Sequence, residues 1–180
     1  MVRGRHGVTG VLLVGGASSR FGSSKALALF EGEELAVRAY RLLEETFGTA
    51  IAIGKDDDDL DLPFPVEDDG RDERAAIVGV AAGLRLAPTE IAVVLPTDMP
   101  FVTGQLLEAL AAATQGADAA IVPTGPLPGA YRSSALRLLE ARIERGDLAL
   151  WAAAEELGAT VVEAPPEELR NVNTPADLEG

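Results

Sequence analysis

The chain has 180 residues, the usual size of one domain. It has no cysteine, which excludes disulfides and thiolate metal sites. Its formal net charge is -14, and such an acidic chain repels nucleic acid unless it carries a basic patch, which the sequence does not show. The first apolar run, residues 11–14, is too short for a signal segment or a membrane span. We therefore expect a soluble cytoplasmic protein that contacts neither nucleic acid nor membrane.

Residues 1–7 have no apolar pattern, so we interpret them as a flexible leader before a single domain of residues 8–180. Strands are predicted over residues 8–14, 49–53, 91–95 and 119–122, with extended segments at 63–66, 129–131 and 160–163. Helices are predicted over residues 35–47, 75–86, 104–113, 133–144 and 148–157, with a helical turn at 175–178. Thr103 is the predicted N-cap of the third helix. We expect residues 55–61 to form a solvated acidic loop and Trp151 to lie in the core.

This alternation of strands and helices indicates βαβ units. It predicts an α/β fold of the three-layer Rossmann-like type, with a mainly parallel sheet and helices on both faces. Ligands of such sheets bind beyond the carboxyl ends of the strands. The loop after the first strand and the loop after residue 95 should therefore border the same crevice.

Residues 13–25, LVGGASSRFGSSK, carry the most informative pattern in the chain. Glycines allow sharp turns and a close approach of backbone N–H groups to a ligand, the serines add hydroxyl donors, and Arg20 and Lys25 add positive charge. A triphosphate requires this combination of directed donors and cations. The spacing fits neither a Walker A loop nor a dinucleotide fingerprint. The alternative is a flexible surface loop without a ligand.

One carboxylate, Asp98, follows the most apolar predicted strand. Nucleotidyl transfer develops negative charge on phosphate, and a hard divalent cation with oxygen ligands offsets that charge. Asp98 fits the role of metal ligand, and a helix cap is the alternative interpretation. The only histidine, His6, lies in the predicted leader, so we expect neither a histidine base nor a zinc site.

The Gly-rich segment resembles the signature L-x-G-G-x-S-x-R-M-G-x-D-K of the MobA-like NTP transferases. The matching positions are Leu13, Gly15, Gly16, Ser18, Arg20, Gly22 and Lys25. Phe21 and Ser24 depart from the signature, which has Met and Asp there. The Asp98-Met99-Pro100-Phe101 segment is similar to the D-M-P-F motif of the same family, whose Asp is the metal ligand.

Three further segments bear on the resemblance. Residues 171–175 match the N-x-N-T-P element of the family, and residues 125–132 resemble its H-P-L-x-G-L-Y-R segment, with Gly125 in place of the His. Residues 69–79 depart most, because four charged residues replace the usual Gly-Pro-Leu turn and only Asp69 and Gly79 align. From the residues alone, Arg132 can equally be a solvated arginine at a helix start. The two asparagines of residues 171–173 can equally fix a turn.

The resemblance implies that the domain is a nucleotidyltransferase that transfers GMP from GTP to the phosphate of molybdopterin and releases pyrophosphate. The implied nucleotide-binding residues are Leu13, Gly15, Gly16, Ser18, Lys25, Asp69 and Asp98, of which Lys25, Asp98 and Arg20 also serve catalysis. Asp98 would hold Mg²⁺, with Mn²⁺ as the alternative. The implied acceptor-binding residues are Arg132, Asn171 and Asn173.

Other functions stay open at this point. They are cytidylyl or other nucleotidyl transfer to a different phosphorylated acceptor, and nucleotide binding without catalysis. We expect a monomer, with a protein of molybdoenzyme maturation as its partner.

Overall fold

The computed structural model describes residues 7–15 and 25–178. The predicted leader, apart from Gly7, and Gly16, Ser18 and Arg20 of the predicted phosphate loop therefore lie outside the described residues. The strands are β1 (Val8–Leu13), β2 (Leu29–Phe30), β3 (Glu33–Glu34), β4 (Ala50–Gly54), β5 (Val66–Asp68), β6 (Ile91–Pro96), β7 (Ala119–Val122), β8 (Gly125–Arg132) and β9 (Thr160–Val161). The α-helices are α1 (Leu35–Phe47), α2 (Ala76–Leu86), α3 (Gly104–Ala113), α4 (Leu136–Glu144) and α5 (Leu150–Glu156).

Seven of these strands form one sheet in the order β5-β4-β1-β6-β8-β7-β9. Every neighbouring pair is parallel except the two that involve β8, which runs antiparallel to both β6 and β7. The predicted α/β class with a mainly parallel sheet is thus confirmed. β2 and β3 form a separate two-stranded hairpin that the sequence analysis did not predict.

Alternate residues of the central strands point into two separate cores. Leu12 of β1 packs in the core that α1 and α3 cover, whereas Val11 packs in the core that α2, α4 and α5 cover. On β6, Leu95 belongs to the first core and Val94 to the second. Because successive strand side chains point to opposite faces, a strand buried on both faces is apolar throughout, and the three layers follow.

Two capping residues fix the end of α1 and the start of α3 at the positions that the sequence predicts. Gly48 ends α1 in the left-handed conformation at φ 78°, and its N–H donates to the Glu44 carbonyl at 2.8 Å. At α3 the Thr103 hydroxyl accepts the N–H of Leu106 at 3.3 Å, which confirms the predicted N-cap.

Three local predictions differ from the structure. β8 is longer than the predicted residues 129–131, because its last four residues pair with β6 and Gly125 at its start pairs with Val122 of β7. Trp151 is 45% exposed on α5, so its predicted place in the core is wrong. The helix predicted from residue 133 begins with a 3-10 turn, Ser133–Ala135. In the described part of the chain, no helix is long and apolar enough to cross a bilayer.

The packing of α1 on the sheet predicts an intolerant glycine. A Cβ added to Gly10 would lie 2.7 Å from Leu43 Cβ, an atom that no side-chain rotation can move. We expect Gly10→Ala to lower the free energy of unfolding by about 1–3 kcal/mol, as overpacking in a close-packed core does. Urea unfolding followed by circular dichroism measures this change. Gly116→Ala is the matched control, because nothing lies within 4 Å of its added Cβ, and equal stability of the two variants would contradict the prediction.

Candidate active site

The site begins with the parallel pairing of β1 and β6. Leu13 lies opposite Pro96 at the carboxyl ends of these two strands. The loop that leads from β1 towards Lys25 and the loop that carries Asp98 therefore start from adjacent points on one edge of the sheet. This edge is where parallel α/β sheets bind ligands.

Four predicted site residues converge there. Lys25 Nζ lies 3.2 Å from Asp98 Oδ2 and 3.4 Å from Asn173 Oδ1. Asn171 Nδ2 donates to the same Asp98 oxygen at 3.3 Å. The side chains of Lys25 and Asp98 are 15% and 23% exposed, so this ion pair is partly shielded from water yet open to a ligand. The structure thus brings together residues that the chain separates by as many as 148 positions.

The segment that carries the two asparagines is held by backbone hydrogen bonds. The N–H of Val172 donates to the Asp98 carbonyl at 2.8 Å. The Asp177 carboxylate accepts the N–H groups of Asn173 and Thr174, each at 2.8 Å. These two N–H bonds lower the pKa of Asp177 below its ordinary value, with a smaller contribution from the charge of Arg170. Backbone contacts therefore fix this segment, and the side chains of Asn171 and Asn173 contact Asp98 and Lys25 respectively.

A cavity of about 410 Å³ opens beside the Lys25–Asp98 pair. Its lining includes five predicted nucleotide-binding residues, which are Leu13, Gly15, Lys25, Asp69 and Asp98. Asn171 and Asn173 do not line it. The cavity has the size of a small-molecule site, and the lysine–carboxylate pair lies at its border.

Lys55 and Arg74 also line this cavity, and the sequence analysis proposed a role for neither. The Lys55 side chain is only 10% exposed, which corrects the prediction of a solvated loop over residues 55–61. Its ammonium donates to Asp69 Oδ1 at 2.7 Å, to the Glu73 carbonyl at 2.9 Å and to the Arg71 carbonyl. All three ammonium donors therefore have protein partners. The only signal in the sequence was a lysine placed directly after a buried strand.

Arg74 belongs to the charged run that replaces the Gly-Pro-Leu turn of the family. Its guanidinium pairs with Asp57 and Asp58, each at 2.9 Å, and so ties the β4–β5 connection to the start of α2. A Cβ on Gly15 would lie 3.2 Å from Asp58 Oδ2, and Gly15 has φ 143°. Both the close approach and the backbone angle explain why glycine occupies this position.

Arg132 lies far from these residues. It is paired with Ile91 at the opposite end of β6, because β8 runs antiparallel to its neighbours. At about 3.3 Å per residue, this is roughly 16 Å along the strand from Pro96. Arg132 instead forms a salt bridge with Glu90 and donates to the Thr114 carbonyl at 3.2 Å. The expectation that Arg132 contacts the acceptor is therefore corrected, and we exclude it from the site.

The oxygen groups near Asp98 suit a hard divalent cation. One carboxylate and the amide oxygens of Asn171 and Asn173 are ligand types that Mg²⁺ accepts, with water and phosphate oxygens as the remaining ligands. In residues 7–15 and 25–178, no three Asp, Glu or His side chains gather into a ready metal cluster. The residues present thus fit a cation that a nucleotide helps to hold, and not an all-protein cage.

Comparison with known proteins identifies the class. The model of the MobA-like NTP transferase domain matches residues 10–165. The chain belongs to this family, and it is a nucleotidyltransferase by class. The resemblance inferred from the Gly-rich segment is thereby confirmed.

Three similar proteins carry names that are more specific than the name of the family. The chain is 33% identical to a probable molybdenum cofactor guanylyltransferase of Aquifex aeolicus strain VF5, over 93% of this chain and 86% of that protein. It is 27% identical to the molybdenum cofactor guanylyltransferase of Rhodobacter capsulatus, over 95% and 93% of the two chains. The crystal structure of molybdopterin-guanine dinucleotide biosynthesis protein A from Archaeoglobus fulgidus has a TM-score of 0.78 at 25% identity, with 95% of each chain covered.

Among the ion pairs of the site, the Lys55–Asp69 pair should contribute most to the free energy of unfolding, because both side chains are largely shielded from water. We expect Lys55→Met to lower the free energy of unfolding by about 3–5 kcal/mol, because Asp69 would keep a buried charge without a partner. Fluorescence of Trp151 during urea unfolding measures the change.

Two further variants make this prediction specific. Arg41→Met removes an exposed partner of Glu33 and Glu45 and should cost about 0–1 kcal/mol. The double variant Lys55→Met/Asp69→Leu should recover part of the loss, because neither charge remains buried. A single Lys55→Met variant as stable as Arg41→Met would show that the pair is not a structural constraint.

Proposed function

We propose that this protein transfers GMP from GTP to the phosphate of molybdopterin and releases pyrophosphate. The observation that carries the proposal is the 3.2 Å Lys25–Asp98 pair at the border of the nucleotide-sized cavity, in a chain of the MobA-like family. The guanylyltransferase names of the relatives support GTP and molybdopterin as the substrates. The proposal includes a cytoplasmic monomer that delivers its product to a protein of molybdoenzyme maturation.

The reaction needs charge stabilisation more than it needs a base. An oxygen of the acceptor phosphate attacks the α-phosphorus of GTP, and the bond from that phosphorus to the β-phosphate oxygen breaks. The acceptor phosphate is already ionised, so no strong general base has to remove a proton. Lys25 donates to the phosphate oxygens on which charge develops, and the ordered site provides positioning.

Within this proposal, Leu13 and Gly15 line the cavity at the end of β1, and Asp69 lines it just after the end of β5. Asp69 Oδ1 is held by Lys55 and by the N–H of Arg71 at 3.0 Å. Among the described residues, Asp69 Oδ2 has no hydrogen-bond partner. A guanine base has adjacent N–H donors that this carboxylate oxygen can accept, and we assign Asp69 to guanine binding for that reason. Gly16, Ser18 and Arg20 keep their predicted roles in binding and stabilising the phosphates.

A divalent cation completes the proposed site. Asp98 would hold Mg²⁺, or Mn²⁺ in its place, and Asn171 and Asn173 would contact the acceptor. When bound, such a cation offsets the charge of the phosphates. Lys25 already pairs with Asp98 Oδ2, so it orients the carboxylate at the cavity border.

The assigned role of Lys25 gives the first functional test. We expect Lys25→Ala to lower kcat for pyrophosphate release by about 100-fold to 1,000-fold, as the loss of one donor to a developing charge does. Turnover is measured with GTP, Mg²⁺ and molybdopterin.

Arg137→Ala is the control for this test, because Arg137 is an exposed cation on α4 that does not line the cavity. It should turn over at the rate of the unaltered protein. A Lys25→Ala variant that unfolds at the same temperature as the unaltered protein and retains full turnover would refute the assignment.

Nucleotide choice gives the second test. At equal concentrations with Mg²⁺, we expect GTP to raise the unfolding temperature more than CTP does, because a ligand stabilises the folded state in proportion to RT ln(1 + [L]/Kd). Differential scanning fluorimetry measures both shifts. A larger shift with CTP would contradict guanine binding, but it would not contradict the assignment of the chain to the family. Stabilisation by GTP without pyrophosphate release in the presence of molybdopterin would indicate a binding protein without catalysis.

A further inference from the structure

Two aromatic rings and two guanidinium groups pack together with each guanidinium over one ring, and we call this group the stack. Phe30 and Phe101 pack edge to face, with ring centroids 5.4 Å apart and an interplanar angle of 84°. Arg170 Cζ lies 4.2 Å from the Phe101 centroid, and Arg38 Cζ lies 5.1 Å from the Phe30 centroid. The hairpin of β2 and β3 supplies Phe30, so this unpredicted element helps to build the stack.

The two arginines of the stack differ in their other partners. Arg38 is bound to Glu31 Oε2 at 3.3 Å and to the Pro100 carbonyl at 3.3 Å. Arg170 is exposed, and in the described part of the chain no carboxylate lies within salt-bridge distance of it. The Asp177 carboxylate accepts the N–H groups of Asn173 and Thr174, which are the main cause of its lowered pKa. The charge of Arg170 contributes less to this pKa, and the two side chains form no ion pair among the described residues.

Among the described residues, three exposed arginines have no acidic partner, Arg137, Arg145 and Arg170, and only Arg170 directly precedes a residue that contacts Asp98. Most arginines of the described residues pair with a carboxylate, as Arg71 does with Glu144 and Arg85 with Glu140. Stacking on Phe101 restricts the Arg170 side chain while its guanidinium edge stays open to a ligand. Part of the entropy cost of ordering a long side chain on binding is therefore already met in the free protein.

The position of Arg170 relative to the cavity indicates which ligand it meets. Neither Arg170 nor Phe101 lines the nucleotide cavity, and Asp98 lies at its border. Arg170 immediately precedes Asn171, whose amide donates to Asp98. In an in-line transfer the attacking group approaches the α-phosphorus from the side opposite the departing pyrophosphate. With the nucleotide in the cavity, an acceptor that approaches Asp98 from outside the cavity would meet Asn171, which contacts Asp98, and the adjacent Arg170.

We propose that Arg170, held on the face of Phe101, binds the phosphate monoester of the acceptor. The inference rests on the proposed function, and it adds a residue that the family signature does not include. A guanidinium edge matches two phosphate oxygens in a forked arrangement that an ammonium does not reproduce. The same contact selects a phosphorylated acceptor over water and over a neutral hydroxyl acceptor.

The test separates acceptor binding from nucleotide binding. In Arg170→Ala we expect the KM for molybdopterin to rise about 10-fold to 100-fold, the range for a lost hydrogen bond to a charged group. The KM for GTP and the thermal shift produced by GTP with Mg²⁺ should stay within about twofold, since Arg170 does not line the cavity. Arg170→Lys should recover only part of the loss, because the charge remains without the fork.

Two other variants control for structure. Arg137→Ala removes an exposed arginine of α4, away from the stack, and should change neither KM. Phe101→Leu keeps an apolar side chain but removes the ring face, so it should raise the KM for molybdopterin by less than Arg170→Ala does. It should leave the KM for GTP unchanged.

The outcomes distinguish this inference from the function on which it rests. If the unaltered protein turns over GTP and molybdopterin and Arg170→Ala has an unchanged KM for molybdopterin, the inference fails and the function stands. A rise of both KM values to the same extent in Arg170→Ala would indicate a general structural role and would also overturn the inference. If the unaltered protein binds GTP but releases no pyrophosphate with molybdopterin, the function and the inference both fail.

Discussion

The parallel pairing of β1 with β6 is the constraint on which the site depends. β1 lies between β4 and β6, and its Val11 and Leu12 side chains are fully buried on opposite faces of the sheet. A shift of register by one residue would exchange the side chains that face the two cores, so packing holds the register strongly. That register places Leu13 beside Pro96, and it brings the chain after each strand to the same edge. The contact between Lys25 and Asp98 follows from this placement.

The charges that line the cavity differ from the charge of the chain as a whole. A protein with a net charge of -14 repels the triphosphate that we propose as its substrate. Three cations, Lys25, Lys55 and Arg74, nevertheless line the cavity. Each has a carboxylate partner, so their arrangement is fixed before a ligand arrives. These ion pairs keep the cations at fixed positions in the cavity, and salt screens the exposed negative charges that lie more than about 8–10 Å away.

The charged run of residues 71–74 has a structural role of its own. The signature of the family has a Gly-Pro-Leu turn in this region. In this chain the Arg71 and Glu73 carbonyls accept hydrogen bonds from Lys55, and Arg74 forms salt bridges with Asp57 and Asp58. Here the connection relies on ion pairs, one of them buried, in place of local backbone geometry.

Much of the fold was predictable because its signals are local or periodic. The bounds of α1 and β7 agree with the prediction, since helical spacing, a terminal glycine and a continuous apolar run each act within a few residues. The hairpin of β2 and β3 was not predicted, because two-residue strands carry no period. The exposure of Trp151 was missed for a related reason, since side-chain type alone does not show which face of a helix meets the sheet.

The sequence by itself determined the α/β class, and it singled out residues 13–25 as a candidate phosphate loop and Lys25, Asp98, Asn171 and Asn173 as candidate site residues, because these predictions depend on residue type and on spacing. Only the tertiary structure decided which of them meet. It joined Asn173 to Lys25 across 148 positions, and it removed Arg132 through the antiparallel direction of β8. It also buried Lys55 against Asp69 and placed Arg170 on Phe101. Such contacts depend on strand order and strand direction, which long-range packing sets and no local pattern encodes.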